Sequence, residues 1–290
     1  MSTGPAAIAF PGQGGDWRAT TAVLGAQAGH PLVRALADRL GTDRWDALDG
    51  LDTANAQPAI YVAGLVGPAA TAPVDEISLA MGHSLGEITA AAWAGALSFD
   101  AGLDLMVARG ALGRAAQDHR PGAMTAINRW ERPKVAELAA AVAGRSPGRA
   151  LEVAVVNSPT QIVLSGDEAL VDQATDQANE QGAVARRLPI GGAYHSSLMA
   201  SALVAFRAQV GDAVTAAPRV PVLSSTLQLP LRTVDELVDG LARSLVLAVD
   251  WPATIEAAAA LGVDRAFEAG PGDTLRRLAR FAPELAIVSL

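Results

Sequence analysis

The segment GHSLGE, residues 82–87, places Ser84 between two glycines in the pattern G-x-S-x-G. This pattern is typical of a nucleophile elbow, a sharp strand-to-helix turn in which side chains at Gly82 and Gly86 would obstruct the strained backbone. The following helix directs its free N–H groups at the serine, and the N–H of Leu85 is the natural donor to an oxyanion. Because the pattern also arises by chance in a glycine-rich chain, it predicts either a nucleophile or a plain turn.

A serine hydroxyl is a weak nucleophile and needs a base within hydrogen-bonding distance, a role that histidine usually fills. His195 is the best candidate, because it follows an apolar strand and lies among small residues. His30 and His119 have polar neighbours typical of a surface, and His83, beside the serine on a sharp turn, is expected to point away from it. A buried structural histidine is the alternative for both His83 and His195, and we favour it for His83.

The segment FPGQGGDW, residues 10–17, looks at first like a phosphate-binding glycine loop. It has Trp17 where a dinucleotide-binding fingerprint needs glycine, and it lacks the Lys-Ser/Thr pair of a P-loop. What remains is Gln13, between two glycines at the end of an apolar run, with an amide that can stabilise an oxyanion. A simple turn is the alternative.

Composition excludes several classes of function. The net charge of −8 and the lack of long basic runs argue against a nucleic-acid partner. The chain has no cysteine and its four histidines lack zinc-ligand spacing, so we predict no metal site. The N-terminus lacks the features of a signal peptide, and residues 53–74, uncharged but interrupted by polar residues and prolines, predict a buried helix and loop, not a membrane span. We expect a cytoplasmic protein with no membrane contact.

The elements around Ser84 have the order that a nucleophile elbow requires. Apolar runs at residues 6–10 and 76–81 predict buried strands, the second of which leads into the serine turn. After Gly86 the chain is rich in helix formers, and Ser98 is typical of the start of a further helix that reaches Arg109. The resulting strand, turn and helix form the context of a G-x-S-x-G motif.

Residues 123–188 have a different pattern: strand, helix, strand, strand, helix, strand. This is the order of a ferredoxin-like unit. We therefore predict an α/β fold in which residues 1–122 and 189–290 form a large subdomain with a parallel sheet. A small ferredoxin-like α+β subdomain, residues 123–188, is inserted into it.

Several short motifs are spread along essentially the whole chain. They are FPGQGGDW at 10–17, QPAI at 57–60, GHSLGE at 82–87, Arg109, VNSPTQIVLSGD at 156–167, AYHSSLM at 193–199 and FEAGPGDTL at 267–275. In type and order they resemble malonyl-CoA:acyl-carrier-protein transacylases and polyketide-synthase acyltransferase domains. The fold that this resemblance implies, an α/β-hydrolase-like core with a ferredoxin-like insertion, agrees with the element pattern.

The resemblance also implies roles for individual residues. Ser84 is the acylated nucleophile and His195 the general base and acid. Gln13 and the N–H of Leu85 form the oxyanion hole. Arg109 follows Ser84 at the spacing of the family arginine that binds the free carboxylate of malonyl and similar groups, a task suited to a planar guanidinium.

Three further positions are assigned to the acyl pocket or its rim. Asn157 matches a family asparagine near the site. Asp250 stands where the transacylases have a glutamine whose main-chain carbonyl orients the histidine, and it either keeps that role or adds a carboxylate. Tyr194 precedes His195, where polyketide acyltransferases commonly have Phe for malonyl or Ser for methylmalonyl, and its bulk favours malonyl. The alternative is that its hydroxyl, which needs a partner when buried, selects a polar or larger acyl chain.

The implied activity is ping-pong transfer of an acyl group, with malonyl expected, from acyl-CoA to the phosphopantetheine thiol of an acyl carrier protein, without a cofactor. A free-standing, trans-acting polyketide enzyme is the first expectation. The alternatives are a housekeeping fatty-acid transacylase, a proofreading acyl-carrier-protein hydrolase and a non-catalytic scaffold. Charge alone predicts a docking surface for an acidic carrier at Arg186, Arg187, Arg276, Arg277 and Arg280.

Overall fold

A computed structural model describes residues 4–290 as two β-sheets with helices packed on them. The strands are β1 (Ala6–Phe10), β2 (Ile77–Gly82), β3 (Gly122–Asn128), β4 (Leu151–Ser158), β5 (Gln161–Asp167), β6 (Val184–Arg187), β7 (Val222–Leu223), β8 (Pro230–Leu231), β9 (Val249–Asp250), β10 (Arg265–Glu268) and β11 (Ala286–Ser289). The helices are α1 (Trp17–Ala26), α2 (Pro31–Leu40), α3 (Thr53–Val66), α4 (Gly86–Trp93), α5 (Phe99–His119), α6 (Arg132–Ala143), α7 (Glu168–Glu180), α8 (Ala200–Ala213), α9 (Val234–Arg243), α10 (Trp251–Ala260) and α11 (Thr274–Ala279).

The larger sheet has the strand order β11-β10-β1-β2-β7-β8, and its neighbouring strands are parallel except β7 and β8. All of β1 is buried, and in β2 only Ser78 is exposed, as expected for central strands covered by helices on both faces. The predicted strand at residues 6–10 is confirmed, and the one predicted at 76–81 lies one residue further on.

Two helices beside β2 position the candidate site. Helix α4 begins directly after the serine turn. Helix α5 begins after Ser98, whose hydroxyl accepts from the N–H of Ala101, so the predicted cap is confirmed. The helix continues well past Arg109 to His119. Helix α3 is almost wholly buried, as predicted for the uncharged segment, and no helix in residues 4–290 has the length and hydropathy needed to cross a membrane.

The smaller sheet has the strand order β6-β3-β5-β4-β9. Strands β3 to β6 pair in antiparallel fashion, and α6 and α7 bury an apolar cluster against them. Strand β9 pairs in parallel with β4 at the edge of this sheet. Because β9 comes from residues 249–250, a segment distant in sequence completes the smaller sheet, which the sequence pattern did not predict.

Candidate active site

Ser84 lies in the turn between β2 and α4, and its φ of 54° is in the left-handed region that residues with a side chain rarely adopt. A Cβ at Gly82 would lie 2.0 Å from the carbonyl carbon of Gly86, and one at Gly86 would lie 2.2 Å from the carbonyl oxygen of Phe10. Close backbone approach therefore requires both glycines, as the pattern predicts. The turn presents the Ser84 hydroxyl to a small pocket.

His195 is hydrogen-bonded to Ser84, with 2.7 Å between Nε2 and Oγ. Its Nδ1 lies 2.9 Å from the main-chain carbonyl oxygen of Leu247, which can only accept, so Nδ1 carries the proton. Nε2 is then free to accept the proton of the Ser84 hydroxyl, as a general base must. The N–H of His195 also donates to the carbonyl of Leu245, which fixes the backbone under the ring.

Asp250 does not orient His195, and the prediction of that role is wrong. Its carboxylate accepts from the N–H of Ala253 at the start of α10, at 3.1 Å, and pairs with Arg132 at 2.9 Å. The carbonyl that holds His195 belongs to Leu247, earlier in the same segment. A main-chain acceptor imposes no residue type, so only the folded geometry identifies it.

The electrostatic surroundings of His195 favour its neutral form. Burial, and secondarily the positive charge of Arg109, lowers the pKa of His195 to about 3. The neutral imidazole, which is the form that accepts a proton, therefore predominates throughout the neutral and mildly acidic range.

The pH dependence of acylation should reflect this pKa. Because kcat/KM reports the free enzyme, we expect its acid limb to lie well below pH 6.5, with a flat rate above it and a loss of rate as falling pH protonates His195. Rapid-quench measurement of acyl-enzyme formation across the acid and neutral range, with circular dichroism to verify folding, would test this. A midpoint near the ordinary histidine value would contradict the burial of the base.

Leu85 and Gln13 line the same small pocket as Ser84. Leu85 is the N-cap residue of α4, and among the described residues its N–H donates to no other group. The side-chain oxygen of Gln13 lies 3.5 Å from the amide nitrogen of Gln57, a contact that does not use the Gln13 amide hydrogens. Both residues therefore keep donors for an oxyanion at Ser84, and the oxyanion hole stays a prediction.

Arg109 is a buried cation, 1% exposed, beside the serine. Nη2 lies 3.4 Å from Ser84 Oγ, and the guanidinium carbon lies 4.6 Å from the centroid of the Tyr194 ring. Within residues 4–290 no carboxylate forms an ion pair with it, and its Nε lacks a hydrogen-bond partner. Buried cations are normally paired, so the geometry suits an anionic ligand.

Tyr194 is buried against Arg109. Its hydroxyl donates to the main-chain carbonyl of Arg109 at 3.3 Å, so the O–H has its partner inside the protein and the ring is left to form the pocket wall. A Cβ at Gly113 would lie 2.0 Å from the Tyr194 hydroxyl oxygen, which explains the glycine at this point of α5.

Asn157, on β4, contacts His83 instead of the Ser84–His195 pair. His83 Nε2 lies 2.9 Å from Asn157 Oδ1, and the His83 ring centroid lies 5.5 Å from that of Trp251. The geometry agrees with a structural role for His83. The pocket role of Asn157 stays a prediction.

The small pocket at Ser84 shares Gln13, His83 and Asn157 with a larger cavity of about 690 Å³. The larger cavity is bounded by the loop after β1, by β5 and by α11. A group that binds in the small pocket beside Ser84 could thus be joined to a longer chain that lies in the larger cavity. Within residues 4–290, no cluster of His, Asp and Glu side chains is arranged to hold a metal ion.

Two buried polar residues beside the elbow, Glu87 and Ser225, belong to no sequence pattern that predicts their contact. Glu87 is the last letter of the GHSLGE motif, and its Oε1 lies 2.6 Å from Ser225 Oγ. The two residues are 138 positions apart, so no local pattern joins them. The sequence feature that could have drawn attention to Glu87 is its position as the one charged residue of α4.

A serine at a strand-to-helix turn, hydrogen-bonded to a buried histidine and lying beside a buried arginine, is typical of enzymes that form acyl-serine intermediates. A profile of the acyl transferase domain matches residues 75–277. The chain therefore belongs to the acyl transferase domain family, which its motifs resemble, and it is an acyltransferase.

Relatives of two kinds are similar to this chain. The polyketide biosynthesis protein ThaF of Burkholderia thailandensis is 34% identical over 283 residues, which cover 94% of this chain but only 24% of ThaF. The malonyl CoA-acyl carrier protein transacylase of Escherichia coli is 29% identical over 291 residues, which cover 94% of this chain and 91% of the relative.

Solved structures show the same α/β fold of mixed sheets and helices. The malonyl-CoA:acyl carrier protein transacylase of Xanthomonas oryzae superposes with a TM-score of 0.87 at 31% identity, covering 100% of this chain and 95% of the other. A malonyl-transacylase solved in complex with a type II polyketide acyl-carrier protein superposes with a TM-score of 0.85 at 27% identity, covering 99% and 96%.

Proposed function

We propose that this acyltransferase moves a malonyl group from CoA to the phosphopantetheine thiol of an acyl carrier protein through an acyl-serine intermediate. The single observation that carries the proposal is the Ser84–His195 hydrogen bond of 2.7 Å beside a buried arginine that forms no ion pair with a described carboxylate and whose Nη2 is 3.4 Å from Ser84 Oγ. The printed names of the relatives, malonyl transacylases and a polyketide biosynthesis protein, support the same substrates.

In the first half-reaction His195 Nε2 takes the proton of the Ser84 hydroxyl while Oγ attacks the thioester carbonyl. The oxyanion accepts from the Leu85 N–H and the Gln13 amide. The intermediate collapses with cleavage of the C–S bond, and the CoA thiolate takes the proton from His195. In the second half-reaction the carrier thiol gives its proton to His195 and attacks the acyl carbonyl, and the same proton returns to Ser84 Oγ.

Arg109 would bind the free carboxylate of malonyl. A bidentate guanidinium–carboxylate pair would both neutralise the buried cation and hold the thioester carbonyl near Ser84. The chemistry uses only side chains, one main-chain N–H and the substrate thioester, so we propose no cofactor. We also expect the protein to act in the cytoplasm, without nucleic acid or membrane as a partner.

We further propose that the fold consists of a large subdomain and a smaller inserted one. We interpret residues 1–122 and 189–290 as an α/β-hydrolase-like subdomain and residues 123–188 as a ferredoxin-like insertion. The parallel strands of the larger sheet support the first assignment. For the second, the support is the antiparallel order β6-β3-β5-β4, in which the fourth, first, third and second strands of the segment are neighbours.

A single-turnover transfer experiment tests the proposal. The enzyme is loaded with labelled malonyl-CoA, separated from free CoA and mixed with holo-carrier proteins of polyketide and of fatty-acid synthesis. We expect the label to pass to a carrier faster than to water, and fastest to a polyketide carrier. Faster transfer to the fatty-acid carrier would indicate the housekeeping enzyme, and faster hydrolysis would indicate a proofreading hydrolase.

Tyr194 should favour malonyl over methylmalonyl, because its ring lies beside Arg109 in the small pocket. One methyl group in an apolar pocket changes selectivity by about ten- to a few hundred-fold. We expect Tyr194→Ser to lose most of the malonyl preference in a competition between the two acyl-CoAs. Tyr194→Phe is the matched control, since it keeps the ring and should keep the preference. If the Ser variant is as selective as the native enzyme, Tyr194 does not control this choice.

The predicted docking arginines differ in their surroundings. Arg276 and Arg277 pair with Asp273, and Arg187 pairs with Glu168 and Asp172. Arg186 and Arg280 have no carboxylate partner among the described residues. Arg186 also pairs across the sheet with Ala126, which lines the larger cavity. Arg186 and Arg280 are therefore the better candidates for carrier contacts.

Charge reversal at Arg186 and Arg280 should slow transfer to the carrier by about tenfold or more at low salt, and less at high salt. Acylation by malonyl-CoA should be unaffected, because that step does not involve the carrier. Arg207→Glu is the control, because Arg207 is an exposed arginine of α8 that pairs with Asp239 and lies outside the predicted docking set, and it should transfer at the native rate. Equal loss of both half-reactions in the Arg186→Glu and Arg280→Glu variants would rule out a docking role.

A further inference from the structure

Glu87 is a fully buried carboxylate on the first turn of α4 that the proposed chemistry does not use. Its Oε1 accepts from Ser225 twice, from the main-chain N–H at 2.9 Å and from the hydroxyl at 2.6 Å. Its Oε2 has no hydrogen-bond partner. Burying a carboxylate is costly, and burial raises the pKa of Glu87 to about 7 although the Ser225 hydrogen bonds and the positive charge of Arg109 act in the opposite direction, so its position needs a physical reason.

Ser225 connects this carboxylate to the elbow. A hydroxyl has one proton, and the Ser225 hydroxyl gives it to Glu87, which leaves Oγ to accept from the main-chain N–H of Ser84 at 3.4 Å. Ser225 is itself fixed, because its carbonyl accepts from Asp250 N at 2.9 Å and from Gln228 Nε2 at 2.7 Å.

The contacts close a ring around Ser84. Its N–H is held through Ser225 by the Glu87 side chain, and its carbonyl accepts directly from the Glu87 main-chain N–H at 3.0 Å. The left-handed conformation of Ser84, with a φ of 54°, is strained and persists only where the surrounding structure holds it. Both peptide groups of the strained residue are therefore fixed by one helix residue.

We propose that Glu87 is a positioning residue, which acts through the hydroxyl of Ser225 to hold the backbone of Ser84 in the elbow conformation. The inference rests on the proposed role of Ser84 as the nucleophile. What matters is a hydrogen-bond acceptor at Oε1, which both the ionised and the protonated carboxyl provide. The amide of glutamine provides it as well.

The test compares four variants in single-turnover acylation by malonyl-CoA, each scaled to the fraction of folded protein. Glu87→Ala and Ser225→Ala should each lower the maximal acylation rate constant by about 100-fold, the effect of a displacement of about 1 Å at a reacting atom. The malonyl-CoA concentration that gives half of the maximal rate should change little. Because both residues act on one contact, the double variant should be no slower than the slower single variant. Glu87→Gln should recover most of the lost rate.

Asp167→Ala is the matched control. Asp167 is a buried carboxylate in the smaller sheet that likewise accepts from a main-chain N–H, that of Ala150, and its loss should lower stability without changing the acylation rate. If Glu87→Ala fails to fold, Ser225→Ala and Glu87→Gln carry the test.

An unchanged acylation rate constant in Ser225→Ala would overturn the inference, and so would effects of the single variants that multiply in the double variant. A Glu87→Gln enzyme as slow as Glu87→Ala would also overturn it. Absence of any acyl adduct on the native enzyme would instead refute the proposed function, so the two failures are distinguishable.

Discussion

Replacing His195 by alanine is expected to slow acylation of Ser84 by about 10⁴- to 10⁶-fold, as loss of the general base does in serine hydrolases. In the proposed mechanism the proton passes along the hydrogen bond of 2.7 Å between Ser84 Oγ and His195 Nε2, and the Leu247 carbonyl fixes the tautomer that would accept it. Without the imidazole, the serine retains its hydroxyl proton near neutral pH and is a poor nucleophile.

The measurement is the rate of acyl-enzyme formation by rapid quench and intact-protein mass spectrometry. His119→Ala, at an exposed histidine at the end of α5, is the control and should react like the native enzyme. Binding of malonyl-CoA to His195→Ala should persist, because Arg109 is unchanged. A loss of less than tenfold would show that another group removes the proton.

Replacing Arg109 by alanine should lower kcat/KM for malonyl-CoA by about two to four powers of ten. A carboxylate buried without its partner costs about 3–5 kcal/mol, and Arg109 is the buried cation beside Ser84. Acetyl-CoA has no carboxylate to leave unpaired, so its rate should change little or rise, and the malonyl-to-acetyl ratio should collapse.

Two variants make this result specific. Arg109→Lys keeps the charge but loses the planar fork, and should recover only part of the malonyl rate. Arg114→Ala removes an exposed arginine of the same helix, paired with Asp52 at 3.2 Å, and should leave the ratio unchanged. An unchanged ratio in Arg109→Ala would mean that the acyl carboxylate binds elsewhere.

Local patterns predicted the elements around the nucleophile well. The buried strands, the glycines of the elbow and the Ser98 cap all depend on neighbours in sequence, and each is where the pattern indicates. The family resemblance is confirmed by the match of the acyl transferase domain profile to residues 75–277. Geometry also brings Ser84, His195 and Arg109 together, although no sequence window contains all three.

The features that could not be predicted from the sequence are contacts between residues far apart in the chain and contacts made by main-chain groups. The carbonyl that orients His195 comes from Leu247 and not from Asp250, because the acceptor is a peptide group without a residue signature. Strand β9 joins the smaller sheet from a distant part of the chain. The contact of Glu87 with Ser225 spans 138 positions, and the lack of a hydrogen-bond partner at Arg109 Nε is visible only in the folded structure.

The central claim is that Ser84 carries the acyl group. Brief incubation with malonyl-CoA, acid quenching and peptide mapping by mass spectrometry test it most directly. We predict one malonyl adduct, on the peptide that contains Ser84, which disappears in Ser84→Ala and on addition of holo-carrier protein. An adduct of equal amount in Ser84→Ala, or one that maps to another residue, would contradict the account.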